Sequence, residues 1–485
     1  MGDPGELSLA QRASSGFRWA STSQVGRSGI QFVSNAILAR LLSPKDFGLL
    51  GMALIVTGFA SLLRDLGTSA AIIQRRDLSR GLVSSVFWIN AGLGLTAAVM
   101  VFAASPLVAA FFKQPPLTGI LRALSASFVM AGLGVVHQAM LQRSLQFRRL
   151  AVVDLVSAFV SAAAGIGFAL AGAGVWSLVY QALVLALVST VLLWVVSPER
   201  PAFEFHWGEV KQVSSYSLNL TSFNVFNYFI RNADNLLIGK FLGAGPLGYY
   251  SLAYRLLLFP LQIITDVASR VLFPVCSELQ DDHERFRRAY LKAVSGIATL
   301  SFPLMLGMAA LARPLITAVF GAQWGPSVIP LMILAPAGML QSVTATVGPI
   351  YQAKGRADWL FRWGAGAGVA VLIAFAVGLR WGVIGVAAAY AAVTTLLTIP
   401  GLAIPFSLVQ LRLAAFFESL WRPMASALAM CALLVGASRL LGGRMMDWQE
   451  LLLLVPAGAL IYTGFSLLIN RHQMRELLAA MGKQR

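Results

Sequence analysis

The chain alternates long apolar runs with short polar breaks. Each run is about 20 residues, the length a helix needs to cross a hydrocarbon core of about 30 Å. The pattern predicts about fourteen membrane-spanning helices. Six lie near residues 17–42, 47–73, 82–112, 117–141, 150–171 and 174–197. Six more lie near 212–241, 246–275, 289–313, 325–352, 359–379 and 382–409, and a last pair near 418–441 and 450–470. The prolines and mixed charges of residues 198–211 read as a linker. The expected organisation is an all-α polytopic membrane protein with a cytoplasmic segment 1–16, an N-lobe 17–197, the linker 198–211, a C-lobe 212–409, an appended helix pair 410–470 and a cytoplasmic tail 471–485.

One predicted span breaks the apolar rule. Gln24, Arg27, Gln31 and Asn35 recur at intervals of three, four and four, which places them on one helical face. The same intervals return at Asn224, Asn227, Arg231 and Asn235. The repeat runs further, because ILARLLSPKDFGLLG from Ile37 aligns without a gap with LIGKFLGAGPLGYYS from Leu237, so that Arg40 meets Lys240 and Gly48 meets Gly248. A weaker echo pairs AGAGVWSLV around Gly174 with LRWGVIGVA around Gly382. With six crossings in each copy, the lobes enter the membrane in the same direction as parallel repeats. That architecture places a substrate site near mid-membrane in transporters.

Composition agrees with the pattern: 58% hydrophobic and 12% charged residues, with a mean hydropathy of +0.74, leave no room for a sizeable soluble domain. The net charge of +17 is spread over short loops between apolar runs, so it reports topology and not nucleic-acid binding. Most of the 37 Lys and Arg fall in breaks on the side of the N-terminus, which predicts that both termini are cytoplasmic. The polar first sixteen residues and the lack of a small-residue cleavage site predict that the N-terminus stays attached. Cys276 and Cys431, without metal-ligand or CxxC spacing, indicate neither a disulfide framework nor a metal site, and no cofactor is expected.

The charges inside the spans carry the chemistry. Arg27, Arg64, Arg231, Arg255 and Arg270 outnumber Asp65, Asp234 and Asp266, and each costs about 2.5 to 3.5 kcal/mol at a bilayer centre unless it finds a partner or an anionic guest. In the eighth span Arg255, Gln262, Asp266 and Arg270 again share a face. A planar guanidinium can hold phosphate bidentately and the neighbouring amides can hold sugar hydroxyls, so the surplus points to an anionic glycolipid. The competing reading is structural, with Arg64 beside Asp65 and Arg231 three residues before Asp234 as ion pairs. The three aspartates are also candidates for a coupling proton or sodium ion. His137 and Asp154, placed at or near cytoplasmic helix ends, are weaker coupling candidates.

The segments ILARLLSPKDFGLLG, LRDLGTSAAIIQRRD from Leu63 and NADNLLIGKFLGAGPLGYYSLAYRL from Asn232 together resemble the polysaccharide-exporter branch of the multidrug, oligosaccharidyl-lipid and polysaccharide flippase superfamily, of the colanic-acid and teichuronic-acid exporter type. The resemblance covers roughly residues 14–470. It implies a flippase in a bacterial inner membrane that turns undecaprenyl-diphosphate-linked oligosaccharide outward by alternating access, with a polysaccharide polymerase and glycosyltransferases as candidate partners. A multidrug extruder of the same superfamily is one alternative, disfavoured by the cationic stripe. A membrane-embedded polymerase or glycosyltransferase is another, but the longest loops hold no paired-carboxylate or metal motif. A purely structural membrane subunit would not require matched polar stripes.

Overall fold

The computed structural model describes residues 9–64, 72, 78–206, 227–279, 282–441 and 444–469; of residues 9–17, 21, 63–64 and 263–277 only the backbone is described. The described residues form α-helices joined by short turns, and none lies in a β-strand. Two compact units emerge, residues 1–248 and 249–485.

The first unit holds α1 (Leu9–Leu41), α2 (Pro44–Arg64), α3 (Arg80–Phe112), α4 (Pro116–Arg143), α5 (Phe147–Leu170), α6 (Val175–Val196) and α7 (Ala233–Phe241). The next helix, α8 (Ala244–Glu278), starts in the first unit and continues into the second. The second unit then holds α9 (His283–Ala310), α10 (Ala312–Phe320), α11 (Val328–Thr344), α12 (Gly348–Ala353), α13 (Ala357–Gly378), α14 (Gly382–Leu408), α15 (Leu413–Leu441) and α16 (Asp447–Ile469). Ten segments of the described residues are long and apolar enough to cross a membrane, one of them containing both α13 and α14. The chain is a multi-pass membrane protein. Neither α1 nor α8, the helices that carry most of the polar positions, is among the ten.

Helix ends follow local chemistry. Ser43 and Asp46 cap α2 reciprocally: Ser43 N and Oγ donate to Asp46 Oδ2 at 2.9 and 2.6 Å, while Pro44 occupies the first turn, where its missing N–H costs nothing. Ser79 Oγ accepts from Leu82 N at 2.9 Å to start α3, and Asp282 accepts from the backbone N–H groups of Glu284 and Arg285 to start α9. The region expected as one span at 325–352 lies within one apolar stretch, Ala322–Ala353, whose helix is not continuous. The helix tightens into a 3-10 turn at Ala345–Val347 and resumes as α12, because Pro349 has no N–H to give the carbonyl of Ala345.

Within the first unit α5 lies along α1 and α6, and α3 lies along α4. The α3–α4 crossing is set by glycine: a Cβ at Gly94 would lie 2.6 Å from the carbonyl oxygen of Phe128, and one at Gly132 would lie 2.6 Å from that of Asn90. Lipid gives no hydrophobic drive to helix pairing, so such close backbone approach supplies the packing energy. The first part of the expected linker is no free tether. Ala202 N and His206 N donate to Ser84 Oγ and Ser85 Oγ at 2.9 and 2.8 Å, and Trp88 Nε1 donates to the carbonyl of Ala202 at 3.0 Å. Residues 197–206 are thus strapped along the start of α3, while 207–211 lie outside the described residues. In the second unit α9 packs against α11 and α15, α11 against α14, and α10 against α16, where Thr317 Oγ1 donates to Asp447 Oδ2 at 2.5 Å. The appended pair is therefore fastened to this unit by α9 and α10.

Replacing Gly132 with valine inserts three carbons where there is no space for one. Overpacking of that kind costs roughly 1–3 kcal/mol. The Gly132→Val protein should melt at a lower temperature in detergent than the wild type, with Gly132→Ala between them, as followed by fluorescence-detected size exclusion after heating.

Candidate substrate-binding site

The α1 stripe survives folding as an accessible surface. Gln24 and Gln31 are exposed and Arg27 and Asn35 half-buried, while the apolar exposed residues Val25, Phe32 and Val33 lie roughly 140° around the helix at 3.6 residues per turn. Ser34 and Leu38, close to the stripe, are buried, and Gln181 Nε2 on α6 donates to Ser34 Oγ at 3.0 Å. Among the described residues, Gln24, Gln31 and Asn35 have no hydrogen-bond partner.

Arg27 does have one. Its Nη1 stands 4.0 Å from Oδ1 of Asp154 on α5, with both side chains about 40% exposed (42% and 41%). At that separation and accessibility an ion pair contributes about 0–1 kcal/mol. The pair places the guanidinium beside α5 without burying it. Asp154, a weaker coupling candidate from sequence, is thereby the neighbour that sets where Arg27 points.

The second copy of the stripe is partly described: Asn224 lies outside the described residues, whereas residues 227–231 are helical, Asn232 breaks the helix, and α7 follows. Arg231 is exposed and Asn227 half-buried, and neither has a hydrogen-bond or ion-pair partner among the described residues. The expected Arg231–Asp234 ion pair does not form. Asp234 is only 2% exposed in the first turn of α7, where it accepts from Asn235 N at 2.7 Å and a carboxylate is favoured by the helix dipole. Asn235 is half-buried. At the other end of α7, Lys240 donates to the carbonyl oxygen of Phe111, with Nζ 4.2 Å from the Phe111 ring centroid, so one ammonium serves the last turns of both α3 and α7.

On α8, Arg255 is exposed and has no partner among the described residues. Asp65 lies outside the described residues, and so do the side chains of Arg64, Asp266 and Arg270. Deep in α4, His137 is fully buried between Trp194, with ring centroids 4.5 Å apart, and Phe87, at 6.2 Å. It belongs to the packing of the first unit.

The two sequence copies meet where they align best. A Cβ on Gly48 would overlap the carbonyl oxygen of Ala244, and a Cβ on Gly248 would overlap that of Pro44. Gly48 and Gly248 are equivalent positions of the repeat, as are Pro44 and Ala244, so the first turns of α2 and α8 cross with reciprocal backbone contacts. Only glycine on both helices allows it.

A family model described as polysaccharide biosynthesis protein matches residues 37–329. The teichuronic acid biosynthesis protein TuaB of Bacillus subtilis is 31% identical over 467 residues, covering 94% of this chain and 95% of TuaB. The chain belongs to the polysaccharide biosynthesis protein family. The succinoglycan biosynthesis transport protein ExoT of Rhizobium meliloti is 30% identical over 95% of this chain and 94% of ExoT. Among solved structures, the lipid II flippase MurJ in an inward closed conformation matches with a TM-score of 0.73 over 93% of this chain and 98% of its own, at 16% identity, a likeness of fold. The family match begins after the α1 stripe but includes Asn227, Arg231, Asp234, Asn235 and Arg255.

Gly48→Ala and Gly248→Ala should each lower the melting temperature of this polysaccharide biosynthesis protein. The double variant should lose less than the sum, because one methyl already forces the helices apart and the second enters the gap. Thermal unfolding of all four proteins tests this, and full additivity would mean that the two glycines do not share one crossing.

Proposed function

We propose that this protein is a flippase that carries undecaprenyl-diphosphate-linked oligosaccharide across a bacterial inner membrane by alternating access, with the polar positions of the two sequence repeats receiving the diphosphate and the first sugars. The observation that carries this reading is the set of amide and guanidinium groups at Gln24, Gln31, Asn35, Asn227 and Arg231 that have no partner among the described residues. Such groups in a membrane chain are retained for what they bind. A diphosphate matches the cationic surplus, and glycan hydroxyls match Gln24, Gln31, Asn35 and Asn227. Membership in a polysaccharide biosynthesis family supports the glycan, and a transport protein among the relatives supports movement over catalysis. Polymerase and glycosyltransferases are the partners that would supply and consume such a substrate.

In this scheme the lobes are residues 17–197 and 212–409, joined by the linker 198–211 and followed by the pair 410–470. Arg27 exchanges its carboxylate partner, Asp154, for the diphosphate on binding and recovers it on release. Asp65, Asp234 and Asp266 are the candidates for a coupling ion. The multidrug alternative fits less well, because an organic cation would meet Arg27 and Arg231.

Arg27→Ala and Arg231→Ala should each reduce flipping of undecaprenyl-diphosphate-linked oligosaccharide in reconstituted vesicles by tenfold or more, as about 1.5–3 kcal/mol for a charged hydrogen bond implies. The lysine variants should retain intermediate transport, since they keep the charge and lose the planar fork. Well-folded alanine variants that transport normally would overturn the assignment. Both termini are proposed to be cytoplasmic, together with the exposed turn before α9. A cysteine at Glu284, in a background lacking Cys276 and Cys431, should react with an impermeant maleimide only after the cells are opened. Labelling in intact cells would reverse the topology.

A further inference from the structure

The helical residues 227–231, which carry Asn227 and Arg231, are fastened by a side chain that the sequence repeat does not mark. Tyr228 donates its hydroxyl to the carbonyl oxygen of Ile55 at 2.8 Å and lies 3.3 Å from that of Leu54, both on α2. The phenol fits a notch at Gly58, where any Cβ would overlap the Tyr228 oxygen. Its ring meets Phe59 at 6.4 Å and Phe229 at 6.1 Å between centroids, and Phe59 and Phe229 meet each other at 5.1 Å. At the other end Asn232 Nδ2 donates to the carbonyl oxygen of Tyr228 at 2.9 Å, just where the helix breaks. The turn is held from both sides.

We propose that Tyr228 is a positioning residue for Arg231, a role that rests on the diphosphate reading above. The aromatic cluster alone does not explain the hydroxyl. Phenylalanine would fill the same space against Phe59 and Phe229, whereas the hydroxyl adds a directional bond to carbonyls in the middle of α2. A glycine in that helix, which weakens it, is what admits the bond. Arg231 follows Tyr228 by three residues, so its backbone sits in the turn that the bond fixes, while its guanidinium has no partner among the described residues. Bidentate recognition of phosphate tolerates only about 0.5 Å of misplacement, and the helix breaks at Asn232, directly after Arg231. The hydroxyl supplies the missing restraint.

The test is a double-mutant cycle on the full-length protein in nanodiscs, titrated with undecaprenyl diphosphate. Tyr228→Phe keeps the ring and should weaken binding by roughly threefold to tenfold, the range for one net hydrogen bond, with the melting temperature essentially unchanged. Gly58→Ala, which pushes the phenol from its notch, should produce a similar loss with Tyr228 intact. In an Arg231→Ala background, Tyr228→Phe should have no further effect, whereas a merely structural tyrosine would weaken binding equally in both backgrounds. Wild-type affinity in Tyr228→Phe while Arg231→Ala is weakened overturns the positioning role alone. Wild-type affinity in Arg231→Ala overturns the diphosphate reading and this inference together.

Discussion

The constraint on which this structure depends is the cost of keeping amides and guanidinium groups in a chain surrounded by hydrocarbon. An apolar helix can cross lipid anywhere on a bundle. A helix that carries Gln24, Arg27, Gln31 and Asn35 gains by keeping that face from lipid, and α1 leaves Gln24 and Gln31 accessible. Asp154 answers Arg27, but only at 4.0 Å and with both groups accessible. Gln24, Gln31 and Asn35 keep unused hydrogen-bonding capacity among the described residues.

A second constraint, close backbone approach, fixes the positions of these faces. Where side chains are as apolar as their solvent, helices gain by touching backbone to backbone, and each crossing described above is made by glycine: Gly94 with Gly132, and Gly48 with Gly248. The second of these joins equivalent positions of an internal repeat, so a duplication that began as two similar stretches of sequence ends as one reciprocal contact. Near it, Lys240 ties α7 to the end of α3, while Tyr228 ties the preceding turn to α2. The polar groups of residues 227–235 are thus carried on a segment anchored at both ends.

Much of this was legible in the sequence. The apolar runs located α3, α15 and α16 to within a few residues, and the three-four-four spacing identified the α1 stripe that the fold leaves accessible. What could not be read required partners distant in sequence. Asp154 stands 127 positions from Arg27 and shares no spacing with it. Proline and mixed charge at 198–206 signal a break in helix but not that serine hydroxyls at 84 and 85 would bind its backbone. Arg231 and Asp234 have the spacing of an ion pair, yet the break at Asn232 puts the aspartate in a new first turn, where backbone N–H groups compete for it. Tyr228 left one faint signal: the repeat aligns it with Ser28, an aromatic ring where the other copy has a small hydroxyl.

The central claim is that the accessible stripe groups, Arg27 and Arg231 foremost, are the ones that hold the anionic end of a glycolipid. The most direct measurement is a cryo-electron microscopy structure of the protein in nanodiscs with undecaprenyl-diphosphate-linked oligosaccharide. The account predicts phosphate density within about 3 Å of the Arg231 guanidinium, with Arg27 turned from Asp154 toward the same ligand. Phosphate density held elsewhere, with Arg27 still on Asp154 and Arg231 facing acyl chains, would contradict it.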